Sequence, residues 1–375
     1  MRSYELRLDR RLLVNFDWPL LVLALILCGT GVLMVYSATA GSPSPTRSEL
    51  YWRQLTWIGL GVLGMFLVAF LNYRTIGRYA YVLYGLGILF LLVVLLFGKG
   101  AFGSQRWLVV GGLRLQPSEF VKLSLILALA RYFEGSKYEG RLGLRQLLTP
   151  GLLVLVPFIL VAEQPDLGTA LVLLLIFTAI VFVAGVRWKT MAWIGGSLMG
   201  ILPLLWSLLH DYQKKRILTL IYPGAEPLGA GYQSIQSKIA VGSGGLWGKG
   251  LLAGTQSRLH FLPAKHTDFI FSVLAEELGF MGVVALLVLL LLLVLRGFDI
   301  ALHTRDKMGA LIATGVVSMI GLSTILNIGM TMGLMPIVGL PLPLVSYGGS
   351  SIVATLVGVG LLLNLRMRRF TFQSL

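Results

Sequence analysis

Residues 268–295 read DFIFSVLAEELGFMGVVALLVLLLLLVL. A helix needs about 20 mostly apolar residues to cross a hydrocarbon core, and this run is long enough. Nine further runs of similar character lie near 18–38, 54–71, 79–97, 117–133, 149–162, 167–186, 191–209, 308–332 and 346–364. The one at 149–162 is short and contains Pro157. Together they predict an all-α integral membrane protein, a polytopic bundle of about ten transmembrane helices. Between the seventh and eighth runs lies a long polar insertion, 210–267. Connections in compact folds are usually a few residues long, and long ones are functional or disordered. This one is not low-complexity. It carries Tyr, Trp, Ile and Leu with glycine turns such as Gly242-Ser243-Gly244-Gly245, so it is expected to fold against the helices as part of one domain spanning 1–375.

Composition agrees with lipid as the main solvent. The chain is 56% hydrophobic and 13% charged, against about 25% charged in an ordinary soluble domain, and its mean hydropathy is +0.84. The net charge of +15 does not point to nucleic acid, because the basic residues gather at the ends of apolar runs, where they meet anionic headgroups. No basic stripe interleaved with aromatics of the kind single strands need is present. Cys28 is the only cysteine, so a disulfide or a cysteine-based zinc site within one chain is excluded. Arg2, Arg7, Arg10 and Arg11 precede the first run, and Ala38-Thr39-Ala40 resembles a signal-peptidase site. The length of 18–36 and the many runs that follow favour a retained first span.

The positive-inside rule tests the count. With the N-terminus in the cytoplasm and ten spans, the inner segments are the N-terminus, 72–78, 131–146, 187–190, 296–307 and Arg366-Met367-Arg368-Arg369. They hold 18 of the 31 lysines and arginines. The short outer loops hold only Arg47, Arg53, Lys99, Arg106 and Arg114. Both termini are therefore expected inside, and the 210–267 insertion outside. Inverted repeats, the usual mark of secondary transporters, are not evident.

Ionisable groups within spans usually mark function. Glu119 and Lys122 lie three apart and share a helix face; the plain alternative is an intrahelical ion pair. Glu163-Gln164-Pro165-Asp166 forms a tight turn, with Asp166 as cap of the next helix. Asp268 follows His266-Thr267, and its local pattern also reads as a helix cap. Its position favours more, because it closes the long insertion beside Lys265 and His266 at the membrane surface. Glu276 and Glu277 lie about 12 Å further along the helix, and a structural role with partners is preferred for them. Leu340-Pro341-Leu342-Pro343 leads into Ser346-Tyr347-Gly348-Gly349-Ser350-Ser351. Pro and Gly at membrane depth imply broken helix, buried in protein or lining a cavity. That is either a kinked helix start or a mobile gate or substrate groove, with Ser346 facing it. No metal set is visible: His260 and His266 are too far apart for one helical turn, and there is no carboxylate cage.

Several strings, in order, carry a family resemblance. They are Gln116-Pro117-Ser118-Glu119, Gln164-Pro165-Asp166-Leu167-Gly168-Thr169, Gly229-Ala230-Gly231-Tyr232-Gln233 and Gln236-Ser237-Lys238-Ile239-Ala240. They continue through Gly248-Lys249-Gly250, Gly254-Thr255-Gln256-Ser257 and Phe261-Leu262-Pro263 to His266-Thr267-Asp268-Phe269-Ile270-Phe271. Glu276-Glu277-Leu278-Gly279 and Pro343-Leu344-Val345-Ser346-Tyr347-Gly348-Gly349-Ser350 close the set. From about residue 100 to its end the chain resembles the SEDS family (shape, elongation, division and sporulation), its rod-shape branch more than its division branch. The resemblance implies a ten-helix fold with a large outer loop between helices seven and eight. It also implies a bacterial inner-membrane location and peptidoglycan glycosyltransferase activity on lipid II. The implied partners are a class B penicillin-binding protein and other elongation-complex membrane proteins. The family's essential aspartate falls on Asp268, its helix-four pair on Glu119 and Lys122, and its basic-aromatic pair on Arg106 and Trp107.

A carboxylate in reach of a sugar hydroxyl can act as general base, and Asp268 is the candidate. The leaving diphosphate needs positive charge. Lys122, Arg106, Lys265 and Arg258 are the candidates, and a divalent cation is a further one. Two rival functions remain: a flippase for the lipid-linked precursor, which suits the broken helix at 341–350, and a noncatalytic scaffold for a synthase. A flippase would depend on Glu276 or Glu277 more than on Asp268, and a scaffold would tolerate Asp268→Asn.

Overall fold

Helices that are apolar on all sides belong in lipid or in the centre of a bundle, and most of this chain's helices are of that kind. In the computed structural model the described residues are 14–40, 49–101, 104–110, 113–135, 142–193, 196, 200, 207, 211–222, 229–259 and 261–369. In chain order the elements are α1 Trp18–Thr39, α2 Leu50–Phe70, α3 Tyr73–Arg78 and α4 Ala80–Phe97. Three strands follow, β1 Lys99–Ala101, β2 Ser104–Val110 and β3 Leu113–Leu115, and then α5 Pro117–Gly135, α6 Leu148–Glu163 and α7 Leu167–Val183. The insertion contributes α8 Asp211–Ile221, α9 Ala230–Ser243 and the single turn α10 Thr255–Arg258. The chain closes with α11 Ile270–His303, α12 Lys307–Thr331 and α13 Gly349–Met367.

Among the described residues seven helices are long and apolar enough to cross a membrane: α1, α2, α4, α6 with its preceding turn, α11, α12 and α13. α7 is apolar but shorter. α5 coincides with the predicted run at 117–133 and is buried along most of its length despite Glu119 and Lys122. The predicted run at 191–209 lies largely outside the described residues. α12 and α13 form the centre. α4 shows Val82, Leu86, Leu89 and Phe90 to its surroundings, as a lipid-facing helix does. α13 lies along α2, and glycine sets the spacing: a Cβ at Gly360 would fall 2.4 Å from the Met65 carbonyl oxygen. Small residues at such contacts let backbones approach where lipid supplies no hydrophobic drive.

Two features depart from the sequence reading. Residues 99–115, expected as a plain loop of an all-α protein, form a small antiparallel sheet in the order β1-β2-β3. Val109 pairs with Arg114 and Lys99 with Trp107. The second departure is in α11, which breaks at Gly279 (φ 65°, ψ −164°). The insertion fastens onto the break. Lys249 N donates to Glu276 O and Gly250 N to Glu277 O, each at 3.0 Å, while Phe280 N donates to Gly245 O at 2.9 Å and Met281 N to Leu246 O at 3.2 Å. The carbonyls and amides that the break frees are thereby paired, as buried backbone requires. A Cβ at Gly279 would meet Gly248 N at 2.2 Å, and its φ is one that L side chains avoid. From the break to Arg296 the helix runs about 25 Å at 1.5 Å per residue, close to a hydrocarbon thickness. Glu276 and Glu277 therefore stand at the margin of this span, beside the insertion, and not two turns inside it.

Candidate active site

Asp268 sits in a tight turn that ends at the N-cap of α11. That cap is Phe269, and it has no side-chain capping bond, so the carboxylate of Asp268 is not used to start the helix. The turn is held from below by three residues. Asn327 of α12 donates through Nδ2 to the Asp268 carbonyl at 2.9 Å and to the Leu340 carbonyl at 2.6 Å. Ser346 donates to the Thr267 carbonyl at 2.6 Å and accepts from Leu342 N at 2.8 Å. Tyr347 N donates to the His266 carbonyl at 2.9 Å. The broken segment 340–348 is thus the platform under the Asp268 turn.

Asp268 is half-buried, and its carboxylate borders a crevice shared with Gly339 and Arg106. Burial pushes its carboxyl up to about 6, against the pull of Arg106 and Arg216; Asp166 adds to the rise. Loss of hydration disfavours the charged form of an acid, and nearby cations restore part of it. Across the crevice is Gly339, with φ 69°. A methyl group placed there would lie 3.5 Å from Asp268 Oδ2 and 3.9 Å from Arg106 Nη1. Glycine leaves the acid and the guanidinium facing one open space.

Arg106 comes from β2 and is held rigidly. Its Nη1 lies 3.6 Å from Asp166 Oδ1, its Nε donates to the Gln164 carbonyl at 3.3 Å, and its Nη2 donates to the Pro165 carbonyl. Asp166 is the N-cap of α7, accepting from Thr169 N at 3.3 Å, and its Oδ2 accepts from Gln116 Nε2 at 2.9 Å. Gln116 N in turn donates to Ser350 Oγ at 2.9 Å. Arg106 is therefore aimed by the turn at 163–166 and by the sheet that sequence reading did not foresee. Trp107 follows it on β2 and is half-buried.

The other predicted residues fall in different places. Lys122 Nζ and Glu119 Oε1 are 2.9 Å apart, both buried in α5, so the intrahelical pair is real. Lys265 is buried in the same turn as Asp268. Arg258 is exposed on α10. Ser346 is buried, with its hydroxyl engaged by backbone as described. His260 lies outside the described residues. Glu276 has the structural partners expected of it: Lys249 Nζ at 2.8 Å, Thr255 Oγ1 at 3.0 Å and Gln256 N at 3.0 Å. Glu277 accepts from Ser37 Oγ of α1 at 2.7 Å. Sequence reading passed over Asn327 and Arg216, and it quoted Gln116 without giving it a role. A lone amide in an apolar helix is a signal that would have found Asn327; Arg216 had none, being one cation of several in the insertion.

Among the described residues the second acid beside the crevice is committed to protein partners. Asp166 spends both oxygens on Arg106, Thr169 and Gln116. Among the described residues no three His, Cys, Asp or Glu side chains converge.

Comparison with known proteins agrees with this picture. The family model described as "Cell cycle protein", FtsW/RodA/SpoVE, matches residues 18–370. The chain is 39% identical to "Peptidoglycan glycosyltransferase MrdB" of Escherichia coli K12, over 95% of both chains. It resembles a chain from the structure described as "Structural coordination of polymerization and crosslinking by a peptidoglycan synthase complex". That match has a TM-score of 0.81 and 40% identity, covering 95% of this chain and 98% of that one. The rod shape determining protein RodA of Thermus thermophilus superposes with a TM-score of 0.71 at 36% identity, with the same coverage. The match of the family model to residues 18–370 and the identity to a relative over 95% of both chains place this chain in the FtsW/RodA/SpoVE family, the SEDS proteins.

Proposed function

We propose that this chain is a peptidoglycan glycosyltransferase that polymerises lipid II into glycan strands during cell elongation, with Asp268 as general base. One observation carries the assignment: a half-buried carboxyl, raised to about 6, shares a crevice with a fixed guanidinium, in a chain whose relatives are named for this activity. A base titrating near the working pH has both the right protonation state and the driving force for proton transfer.

In the reaction the acceptor sugar's 4-hydroxyl oxygen forms a bond to the donor's anomeric carbon. The bond from that carbon to the phosphate oxygen breaks, and the electron pair leaves with the lipid diphosphate. The hydroxyl proton passes to Asp268 Oδ. Attack opposite the leaving group turns the α-linked donor into a β-linked polymer. Arg106 stabilises the charge that develops on the departing diphosphate, and being already oriented it needs no reorganisation to do so. Lys265 lies in the same turn, and Lys122, Arg258, Trp107 and Glu119 are assigned to binding along the lipid-linked substrate. Ser346 shapes the site by fixing the Asp268 turn. A divalent ion, the further candidate for offsetting the leaving group's charge, would enter with the substrate diphosphate.

The topology that goes with this reading is ten spans in the bacterial inner membrane, both termini cytoplasmic, the 210–267 insertion outside, and one domain. The charge bias of the loops supports it. A class B penicillin-binding protein, which crosslinks the strands, is the expected partner, together with other elongation-complex membrane proteins. Polymer formation from lipid II by the purified chain, with and without that partner, tests the function. Wild type should yield glycan strands and folded Asp268→Ala should not. No polymer from either, where a control polymerase works, would favour a flippase or a scaffold.

A further inference from the structure

Glu276 and Glu277 are neighbours on α11, and adjacent residues of a helix face different ways. Glu276 turns to the insertion, where Lys249, Thr255 and Gln256 hold it. Glu277 turns to α1. Ser37 Oγ lies 2.7 Å from its Oε1 and 2.5 Å from its Oε2, so one hydroxyl spans the carboxylate. Both residues are buried. The same Ser37 oxygen accepts from Leu252 N at 3.2 Å. Leu252 has φ 62°, a left-handed backbone that an L residue keeps only where its surroundings hold it. Ser37 is therefore the point where α1, the stub of α11 before its break, and the turn at 250–253 meet.

α1 has a second hold on the site. A Cβ at Gly31 would fall 2.5 Å from the Val345 carbonyl oxygen, so the helix backbone lies directly against the segment 340–348 that carries the Asp268 turn. Gly31 and Ser37 are about 9 Å apart along the axis at 1.5 Å per residue. At one point α1 braces the platform under Asp268, and at the other it grips the helix that Asp268 leads into.

We propose that Ser37 and Glu277 are positioning residues for the polymerase reaction: their hydrogen bond locks the stub of α11 to α1, and with it the placement of Asp268 over its platform. This role rests on Asp268 being the base of the reaction proposed above. The two side chains bond to each other and to the turn at 250–253, away from the crevice, so what they supply is alignment and not contact with substrate. A displacement of about 1 Å can cost a hundredfold in rate, and the loss falls on kcat because the binding contacts are untouched.

Lipid II polymerisation by the purified full chain, with hydrogen exchange of the 250–253 amides measured beside it, tests this. Ser37→Ala should lower kcat about tenfold with KM unchanged and speed exchange at Leu252. Glu277→Leu should do the same. Glu277→Gln keeps an acceptor for the Ser37 hydroxyl and should recover to within about twofold of wild type; a proton-carrying Glu277 would not survive that change. Thr30→Ala, whose hydroxyl bonds back to its own helix at the Ile26 carbonyl, should change neither readout. Faster exchange at Leu252 with kcat unchanged would refute the positioning role, and unchanged exchange would refute the link itself. A wild type that makes no polymer overturns the polymerase reading and this role with it; an active wild type matched by Ser37→Ala overturns this role alone. Should Ser37→Ala fail to fold, Ser37→Cys, a weaker donor, should still lower kcat by about threefold; wild-type kcat there would sink the proposal.

Discussion

Asp166 and Asp268 have the same address in the sequence: each stands immediately before or near the start of an apolar helix, after a short polar turn. Only one of them is a cap. Asp166 holds Thr169 N, Arg106 and Gln116 and is almost wholly buried. Asp268 leaves capping aside, is reached through a crevice, and has its carboxyl pushed up to about 6. Identical local patterns thus separate into a saturated carboxylate, which fixes geometry, and an unsaturated one, which can exchange a proton.

Breaking that comparison at its two ends gives the largest effects. Asp268→Asn should lower polymer formation by about 10²–10⁴-fold, the usual contribution of a general base, with the protein still folded. Asp166→Ala should do the reverse in emphasis: about 3 kcal/mol of stability lost, since Arg106 loses its carboxylate partner and α7 loses its cap. Melting curves in detergent beside polymer yields check both. Equal destabilisation by the two variants would erase the distinction.

Asn327→Ala removes the amide that ties the Asp268 and Leu340 carbonyls together. An unsatisfied buried carbonyl costs about 1–3 kcal/mol, and turnover should fall with little change in KM, since the base is displaced and not lost. Rescue by Asn327→Gln would not be expected, because the longer side chain cannot keep both contacts.

The pH response sharpens the comparison further. Asp268 has a raised folded-state value, so folding favours its protonated form. The stability it contributes is complete below the unfolded value, 3.8, and is lost as pH rises through about 6. Asp268→Asn should therefore melt above wild type at pH 8, with the gap closing towards pH 4. Activity should run the other way in wild type, falling about tenfold per pH unit below 6 as the base is protonated. The smallest effect is expected at Gly339→Ala. The added methyl meets Asp268 and Arg106 only at ordinary contact distance, so the penalty is the left-handed backbone, about 1–2 kcal/mol. A larger loss would mean that the crevice closes in the resting protein.

Much of this was legible in the sequence because it is local. Helices α1, α2, α4 to α7 and α11 to α13 follow apolar runs, the Glu119 and Lys122 pair follows from a spacing of three, and Asp166 is read correctly as a cap. The partners expected for Glu276 and Glu277 exist. What could not be read was long-range. The sheet at 99–115 turns Arg106 towards the turn at 163–166, some sixty residues later in the chain. Lys249 reaches Glu276 only because the insertion folds back onto a broken helix. Ser346 and Asn327 act on backbone carbonyls, and side chains that bind backbone leave no pairing pattern to find. Asp268 looked like a cap because capping depends on φ and ψ, which Thr-Asp before an apolar run suggests but does not fix.

The break at Gly279 has a mechanical consequence. Four main-chain hydrogen bonds rivet the insertion to the helix on both sides of the break, so any tilt of the stub from 270 to 278 would be shared with the segment 245–250 bonded to it. Asp268 rides at the tip of that stub, roughly 16 Å from the pivot at 1.5 Å per residue. Each degree of tilt at the pivot then carries the carboxylate about 0.3 Å, and proton transfer tolerates displacement of only about 1 Å. A tilt of three or four degrees, applied by anything that grips the insertion, is enough to set or spoil the alignment, so the stub can act as a throttle.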